Sequence, residues 1–96
     1  MEDRGFVVYI LVSSINGSLY TGQTKDLKER IKKHNAGQVK STQARKPFSL
    51  GYFESFDNRK DAMWREWELK KKWNTERKKR LIAGFDKSKI DGVLGL

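Results

Sequence analysis

A run of seven apolar residues near the start of the chain, Phe6 to Val12, constrains the fold more than any other feature. It is rich in β-branched and aromatic residues and shows no polar alternation, which is typical of a strand buried on both faces. The pair Asn16-Gly17 follows and favours a tight turn. Ser18 to Thr21 then returns as a partner strand, with Gly22 at its end. This part of the chain predicts a hairpin whose first strand is covered on both sides.

The turn decides which side chains share a face of the predicted sheet. If Asn16-Gly17 supplies the two turn residues, Ser13 pairs with Tyr20 across the hairpin. Because side chains alternate along a strand, Tyr9 and Tyr20 then project from the same face. Two phenol groups are therefore expected on one surface of the sheet.

Further segments show the patterns of regular structure. A helix begins after Thr24 or Asp26, a third strand follows Pro47, a second helix begins after Asp57 or Asn58, and a short third helix ends at Gly84. The predicted bounds of the first helix, the third strand and the second helix are Leu27 to Asn35, Phe48 to Phe56, and about Arg59 to Lys72 or Trp73.

The order of these elements predicts one small α+β domain around a three-stranded sheet. A chain of 96 residues is short for more than one domain. We expect the domain to cover residues 1–84. Residues 85–96 show no clear period and are expected to form a partly disordered tail. Residues 38–46 are polar and are expected to form a surface loop or a mobile segment.

The composition excludes several classes of site and location. The chain has no cysteine, so it has no disulfide framework, thiolate zinc site or cysteine nucleophile. No run approaches the roughly 20 apolar residues that span a bilayer, and the acidic start is unlike a signal peptide. We expect a soluble protein of the cytoplasm without a membrane partner, associated with the nucleoid if the source is a bacterium.

The charge balance favours a polyanionic partner. Lysine and arginine total 21 against 12 acidic residues, a net charge of +9. The basic residues fall in three clusters, and tryptophans lie close to the last one, a pattern that suits phosphate contacts beside aromatic surfaces. The alternative is a set of solvated helix faces. The residues expected to contact nucleic acid are Lys25, Lys33, Lys40, Arg45, Lys46, Lys70, Lys72 and Arg77.

A carboxylate interrupts the apolar stripe predicted for the second helix. A partly buried carboxylate needs a cation, a metal ion or hydrogen-bond donors to compensate its lost hydration. Glu66 is therefore either a metal ligand or the partner of Arg30, Arg65 or a lysine in a salt bridge. The stripe consists of Ala62, Glu66, Leu69 and Trp73, with Met63 and Trp67 alongside.

Two pairs of residues complete a set suited to phosphoryl transfer. The phenols of Tyr9 and Tyr20 can contact a phosphate or a water, although packing alone also explains them. Arg30 and His34 lie one helical turn apart, so both can reach one site, although a histidine near a helix end is often only a packed residue. Together with Glu66 they supply positive charge, proton-relay groups and a metal-binding carboxylate.

These residues, in this order and spacing, resemble the GIY-YIG nucleases. Val7-Val8-Tyr9 is similar to a relaxed first motif, and Tyr20-Thr21-Gly22 to the second. The helix arginine, the Tyr/His position and the metal-binding glutamate of the family then correspond to Arg30, His34 and Glu66. The similarity runs from about Phe6 to Ile82 and is greatest to short stand-alone members, close to the nuclease module of the bacterial excision-repair machinery.

The resemblance implies a sheet of three antiparallel strands flanked by helices, and hydrolysis of a DNA phosphodiester in repair or recombination. It implies one divalent metal, Mg²⁺ or Mn²⁺, on Glu66. It also makes Tyr9 the general base or the phenol that positions the water, and Tyr20 a support for the phosphate or water network. Arg30 would stabilise the charge of the transition state, and His34 would assist by hydrogen bonding.

Three positions depart from the family pattern. Val7 replaces the glycine of the first motif, Gln23 stands where repair-type members often carry lysine, and Lys78 stands where the family has asparagine, with Asn74 nearby. The departures keep two alternatives open: a catalytically weak DNA- or RNA-binding domain with the nuclease fold, and a basic scaffold protein that contacts RNA or ribosomes. For the nuclease we expect branched or damaged DNA as substrate, a monomer or weak dimer, and a protein partner that supplies specificity.

Overall fold

The computed structural model describes residues 5–95 and shows a three-stranded antiparallel sheet with four helices. The sheet order is β2-β1-β3, and its strands are β1 (Phe6–Ser13), β2 (Leu19–Thr24) and β3 (Phe48–Phe56). The helices are α1 (Leu27–Asn35), α2 (Arg59–Lys71), α3 (Thr75–Ala83) and α4 (Lys87–Leu94), with a short 3₁₀ turn at Gln43–Arg45. The predicted α+β class is confirmed. The acidic start that entered the signal-peptide argument lies outside the described residues.

The central strand β1 is buried on both faces, as its apolar run predicts. Val8, Tyr9, Ile10 and Leu11 are each 0% exposed. Alternation sends their side chains into two clusters on opposite sides of the sheet. On the Tyr9 face, Phe48 and Leu50 of β3 and Leu27 and Ile31 of α1 complete the cluster. On the Val8 face, Ile10 and Tyr52 of the sheet pack with Ala62 and Leu69 of α2.

The hairpin register differs from the sequence-based prediction by two residues. Tyr20 pairs with Leu11 rather than with Ser13, and a longer turn connects the strands. The side chain of Asn16 accepts the Ser18 N–H at 3.0 Å, a local bond that stabilises the longer turn. Because the shift is an even number of residues, each side chain stays on its predicted face. The two tyrosines therefore share a face, as expected.

Each helix begins at a side-chain cap. The capping oxygens belong to Asp26, Asn58, Asn74 and Asp86, and each accepts a backbone N–H from the first turn of its helix. Within residues 5–95, no helix is long and apolar enough to cross a membrane.

The segment after residue 84 differs from the expected, partly disordered tail. Asp86 caps α4, and Ile90 and Leu94 pack against the cluster on the Tyr9 face. These two residues are four positions apart, so they lie on the same side of the helix. Two apolar residues are too few to produce a recognisable period in the sequence. Leu96 lies outside the described residues.

Helix α2 presents a narrower apolar face to the sheet than its sequence suggests. Ala62 and Leu69 are 0% exposed. Met63 and Trp67, expected beside the inward stripe, are 51% and 41% exposed, and Trp64 is 62% exposed. Leu81 and Ile82 of α3 pack against the same cluster, so α2 covers this face of the sheet together with α3.

Candidate active site

Two aromatic strand residues and one helix residue form a buried cluster on the Tyr9 face. The ring centroids of Tyr9 and Tyr20 are 6.3 Å apart, and those of Tyr20 and His34 are 4.9 Å apart. The strand pairing supplies the two tyrosines, and the last turn of α1 supplies the histidine. The structure therefore brings together three of the predicted site residues.

A chain of hydrogen bonds runs from the cluster into the loop before β3. The Tyr9 hydroxyl lies 3.0 Å from Nε2 of His34, and Nδ1 of His34 lies 2.8 Å from Oγ1 of Thr42. Thr42 Oγ1 in turn donates to the Val39 carbonyl at 3.3 Å. Thr42 is not predictable from the sequence, because nothing in its polar loop distinguishes it from the neighbouring serine and glutamine.

Burial controls the protonation of this chain. Burial raises the pKa of Tyr9 to about 12, against a smaller opposing effect of the Arg30 guanidinium. Burial, aided by the positive charge of Arg30, lowers the pKa of His34 to about 4. Near neutral pH the pair therefore consists of a protonated phenol and a neutral imidazole.

Arg30 is the cation of the cluster. It precedes His34 by one turn of α1, and its interaction with the Tyr9 phenol raises its pKa. Among residues 5–95, no carboxylate forms an ion pair with Arg30, and its buried Nε atom has no hydrogen-bond partner. The two tyrosine phenols are the groups that interact most strongly with its charge.

Gly22 allows the cluster to pack. A Cβ atom at this position would lie 2.6 Å from the Tyr9 hydroxyl oxygen and 3.1 Å from the Tyr20 ring. Gly22 is also the residue of β2 that pairs with Tyr9. The backbone of β2 therefore approaches the phenol as closely as the absence of a side chain permits.

Glu66 is held by two polar side chains on the inner side of α2. One of its carboxylate oxygens accepts a hydrogen bond from Gln23 Nε2 at 2.8 Å, and the other lies 2.8 Å from Lys70 Nζ. Its side chain is 19% exposed, and its charge contributes to the raised pKa of Tyr9. Of the salt-bridge partners considered for Glu66, the structure shows a lysine, Lys70. Arg65 instead binds Glu54 and Glu68.

The donors near Glu66 suit a hard divalent cation that keeps most of its water. In the described part of the chain, no three His, Cys, Asp or Glu residues form a cluster that could hold a metal ion. Mg²⁺ is commonly held by one or two carboxylates together with waters and substrate phosphates. Glu66 can supply one such carboxylate, whereas the Gln23 atom that contacts it is the amide nitrogen, a hydrogen-bond donor. The set does not fit zinc, which takes three or four protein ligands.

A shallow groove of about 250 Å³ lies next to Gln23. Phe6, Thr24, Lys25 and Arg59 complete its lining, and Lys25 Nζ lies 5.2 Å from the centre of the Phe6 ring. Two cations, Lys25 and Arg59, therefore line the groove.

The basic residues expected to contact nucleic acid have different local environments. Arg45 is half-buried, and its guanidinium donates to the Ser18 hydroxyl at 2.9 Å and to the Ser41 carbonyl at 3.1 Å. It thus fastens the loop to the hairpin. Those that are exposed to solvent are Lys25, Lys33, Lys40, Lys46, Lys70, Lys72 and Arg77.

Aromatic surface lies between the exposed cations that follow Glu66. The rings of Trp64 and Trp67 are stacked with centroids 5.1 Å apart, and Lys72 Nζ lies 5.4 Å from the Trp67 ring centre. A groove of about 740 Å³ runs beside the two tryptophans. Arg77 lies over the half-buried Trp73 at 3.7 Å. The structure thus interleaves aromatic and basic groups, as the sequence suggests.

The two residues near the position of the family asparagine, Asn74 and Lys78, have different surroundings in the structure. Asn74 caps α3, and its side-chain oxygen accepts the Arg77 N–H at 2.8 Å. Lys78 is half-buried, and burial lowers its pKa. The oxygen of Asn74 is therefore used within the helix cap.

Comparisons with known proteins agree with this geometry. A family model described as the GIY-YIG catalytic domain matches residues 5–80. A UPF0213 protein of Staphylococcus saprophyticus is 46% identical over 77 residues, which are 79% of this chain and 92% of the relative. A UPF0213 protein of Pediococcus pentosaceus is 47% identical over 70 residues, which are 72% of this chain and 73% of the relative.

A solved structure is also similar. The solution NMR structure of a UPF0213 protein from Bacillus halodurans has a TM-score of 0.52 and 39% sequence identity, and the match covers 81% of this chain and 82% of that one. The names of these relatives state no activity. The matched domain and the tyrosine pair on its hairpin confirm the resemblance found in the sequence: the chain belongs to the GIY-YIG family, whose catalytic domain is that of a nuclease superfamily.

Proposed function

We propose that this protein is a divalent-metal-dependent endonuclease that hydrolyses DNA phosphodiester bonds in repair or recombination. The observation that carries the proposal is the convergence of Tyr9, Tyr20, Arg30, His34 and Glu66 from the hairpin, α1 and α2. The rings are in contact, and the charges of Arg30 and Glu66 both affect the pKa of Tyr9. One small region thus holds a cation, a carboxylate and two phenols.

The carboxylate end of the region would hold the metal. Glu66 would bind one Mg²⁺ or Mn²⁺, with the Gln23 amide beside it. Once bound, the ion neutralises phosphate charge and makes a water more acidic. Lys70 pairs with Glu66 in this structure. When a metal ion binds Glu66, the Lys70 ammonium would be free to pair with a phosphate of the substrate instead.

The guanidinium end would stabilise the negative charge of the transition state. Arg30 lacks a carboxylate partner among the described residues, so a scissile phosphate would be its counter-ion. Tyr20 is half-buried and closer to solvent than Tyr9, so its hydroxyl is the phenol available to the phosphate or the water network.

Two roles were considered for Tyr9: the general base, and the phenol that positions the water. A base must first lose its proton, and the nearest acceptor is His34. Burial raises the pKa of Tyr9 to about 12 and lowers that of His34 to about 4, so both shifts disfavour that transfer. We therefore propose that Tyr9 remains a neutral phenol and positions the attacking water. Because Tyr9 is fully buried, neighbouring side chains must move for a water to reach it.

The exposed charges and aromatic rings of the domain support a proposal for its substrate and partners. Exposed cations and the stacked tryptophans near Glu66 would contact DNA through phosphates and bases. A domain of this size leaves little room for a second recognition surface, so selectivity would come from branched or damaged DNA structure or from a protein partner. We propose a monomer or weak dimer that acts in the cytoplasm, at the nucleoid in a bacterium.

A supercoiled-plasmid nicking assay tests the proposal. With Mg²⁺ or Mn²⁺ the wild type should nick the plasmid, EDTA should stop the reaction, and Glu66→Gln should lower the rate at least about a hundredfold. The matched control is Glu76→Gln, which removes the same charge at an exposed position in the first turn of α3 and should leave the rate unchanged. Full activity of Glu66→Gln would refute the metal-ligand role.

A catalytically weak nucleic-acid-binding domain is the second candidate. Two observations favour it: Gln23 stands in place of a lysine, and Asn74 is engaged in a helix cap. In this case the wild type would bind DNA or RNA with strong salt dependence but would not nick the plasmid with either metal. Binding measured in EDTA, beside the nicking assay, separates the two candidates.

A further inference from the structure

Thr42 is a buried polar residue in an otherwise exposed part of the chain. It is 0% exposed, whereas the adjacent Ser41 and Gln43 are exposed. Thr42 stands at the N-terminus of the 3₁₀ turn, yet its side chain makes no capping bond there. Its hydroxyl instead lies 2.8 Å from the ring of His34. The hydroxyl also donates to the Val39 carbonyl of the same loop, so local structure accounts for one of its two contacts and His34 for the other.

The acceptor of the Thr42 proton sets the direction of the whole chain of hydrogen bonds. The Val39 carbonyl has no proton to donate, so the Thr42 hydroxyl must donate to it. The same hydroxyl then accepts from Nδ1 of His34. A neutral imidazole with its proton on Nδ1 has a lone pair on Nε2, and that lone pair accepts the proton of Tyr9.

The opposite direction removes one bond of the Thr42 hydroxyl and leaves the Tyr9 hydroxyl without an acceptor. If Thr42 donated to Nδ1, its bond to the Val39 carbonyl would be lost. The proton on Nε2 would then point at the Tyr9 oxygen, and the Tyr9 hydroxyl would need another acceptor. Its other close polar neighbour, the Arg30 guanidinium, only donates. A buried hydroxyl without an acceptor is unfavourable, so the first direction is the one the geometry supports.

We propose that Thr42 is a positioning residue that fixes the Nδ1–H tautomer of His34 and thereby turns the Tyr9 hydroxyl proton inward, leaving the phenol oxygen as an acceptor for the attacking water. This inference rests on the proposed nuclease function for its catalytic consequence, but the tautomer itself does not depend on it. Without Thr42, His34 is free to carry its proton on Nε2. Tyr9 would then present its proton, rather than a lone pair, to the water.

The chain offers a direct test because it contains one histidine. Long-range ¹H–¹⁵N spectra of the protein at pH 7 report which ring nitrogen carries the proton, and burial keeps the ring neutral at that pH by lowering its pKa to about 4. We expect the Nδ1–H tautomer in the wild type. Thr42→Val, which keeps the shape but removes the hydroxyl, should shift the population towards Nε2–H. Thr42→Ser restores the hydroxyl and should restore the wild-type spectrum.

Cleavage kinetics supply the second readout. Thr42→Val should lower kcat roughly tenfold or more with little change in KM, and Thr42→Ser should recover most of kcat. A threonine that only filled space would show no such rescue, because serine lacks the methyl group. Thermal unfolding checks that both variants fold, and if Thr42→Val does not, the comparison of the wild type with Thr42→Ser still reports the tautomer.

The outcomes separate this inference from the proposed function. An Nε2–H tautomer in the wild type, or an unchanged Nδ1–H tautomer in folded Thr42→Val, overturns the role of Thr42. If the expected tautomers are found but the wild type nicks no plasmid, the nuclease proposal fails while the structural assignment of Thr42 stands. Expected tautomers together with a rescued kcat support both.

Discussion

The buried histidine should make the stability of the fold depend on pH in a window that the structure defines. His34 has a folded-state pKa of about 4, below its ordinary value of 6.5, because burial and the Arg30 charge disfavour the imidazolium. Between these values the unfolded chain binds a proton that the folded chain does not. The contribution of neutral His34 to the free energy of unfolding should therefore be fully present above pH 6.5 and should be lost as the pH decreases towards 4.

The size of the effect follows from the same two values. The full difference corresponds to about 3 kcal/mol, reached below pH 4. Between pH 7 and pH 5 the loss should be about 2 kcal/mol. This narrower range is the better one to measure, because carboxylates of ordinary pKa titrate mostly below it.

Urea unfolding followed by tryptophan fluorescence gives the free energy of unfolding at each pH. The wild type should lose about 2 kcal/mol between pH 7 and pH 5, with an unchanged m-value. His34→Gln is the control: it should be less stable at pH 7 but nearly independent of pH over the range. A wild-type loss below about 0.5 kcal/mol, or an equal loss in His34→Gln, would refute the reasoning.

Two further predictions concern the packing of the site and its electrostatics. Gly22→Ala places a methyl group against the Tyr9 phenol, so it should cost about 1–3 kcal/mol of stability by urea unfolding and lower the nicking rate; a stable, fully active variant would contradict the close approach. Lys25→Gln and Lys72→Gln should each reduce the slope of log affinity against log salt by about 1, measured by fluorescence anisotropy with labelled DNA in EDTA. Lys89→Gln in α4 removes the same charge away from the tryptophans and should leave that slope unchanged; an equal reduction would indicate that the protein has no defined DNA-binding face.

The elements that sequence predicts well are those with a strong local signal. The bounds of α1 and β3 agree with the prediction, because a capping aspartate precedes α1 and Pro47 precedes a strand with clear alternation. The doubly buried β1 was predicted from composition alone. These features are set by residues close to one another along the chain, so a single sequence contains the information needed to predict them.

The parts that were missed depend on contacts between distant residues. The hairpin register is set by side-chain bonds inside the turn, so the Asn16-Gly17 signal located the turn but not its length. Thr42 lies eight residues from His34 in a polar loop, and only the fold brings their side chains together. The Gln23 to Glu66 bond joins residues 43 positions apart. In the sequence, Gln23 stands out only because it replaces a lysine of the family pattern. In the structure its amide nitrogen donates a hydrogen bond to the Glu66 carboxylate.

The candidate site consists of two parts that differ in charge, and this difference makes their roles separable. Tyr9, His34 and Thr42 form a buried chain with no net charge, so changing one of them should alter how a water is oriented while leaving the attraction for phosphate intact. Arg30 and Glu66 carry charges that a substrate phosphate and a metal would meet, so changes there should alter binding as well as rate. Variants in the neutral chain should therefore change kcat with KM preserved. In a domain that uses the same fold only to bind nucleic acid, affinity would depend on the charged part, and folded variants of the neutral chain would bind as the wild type does.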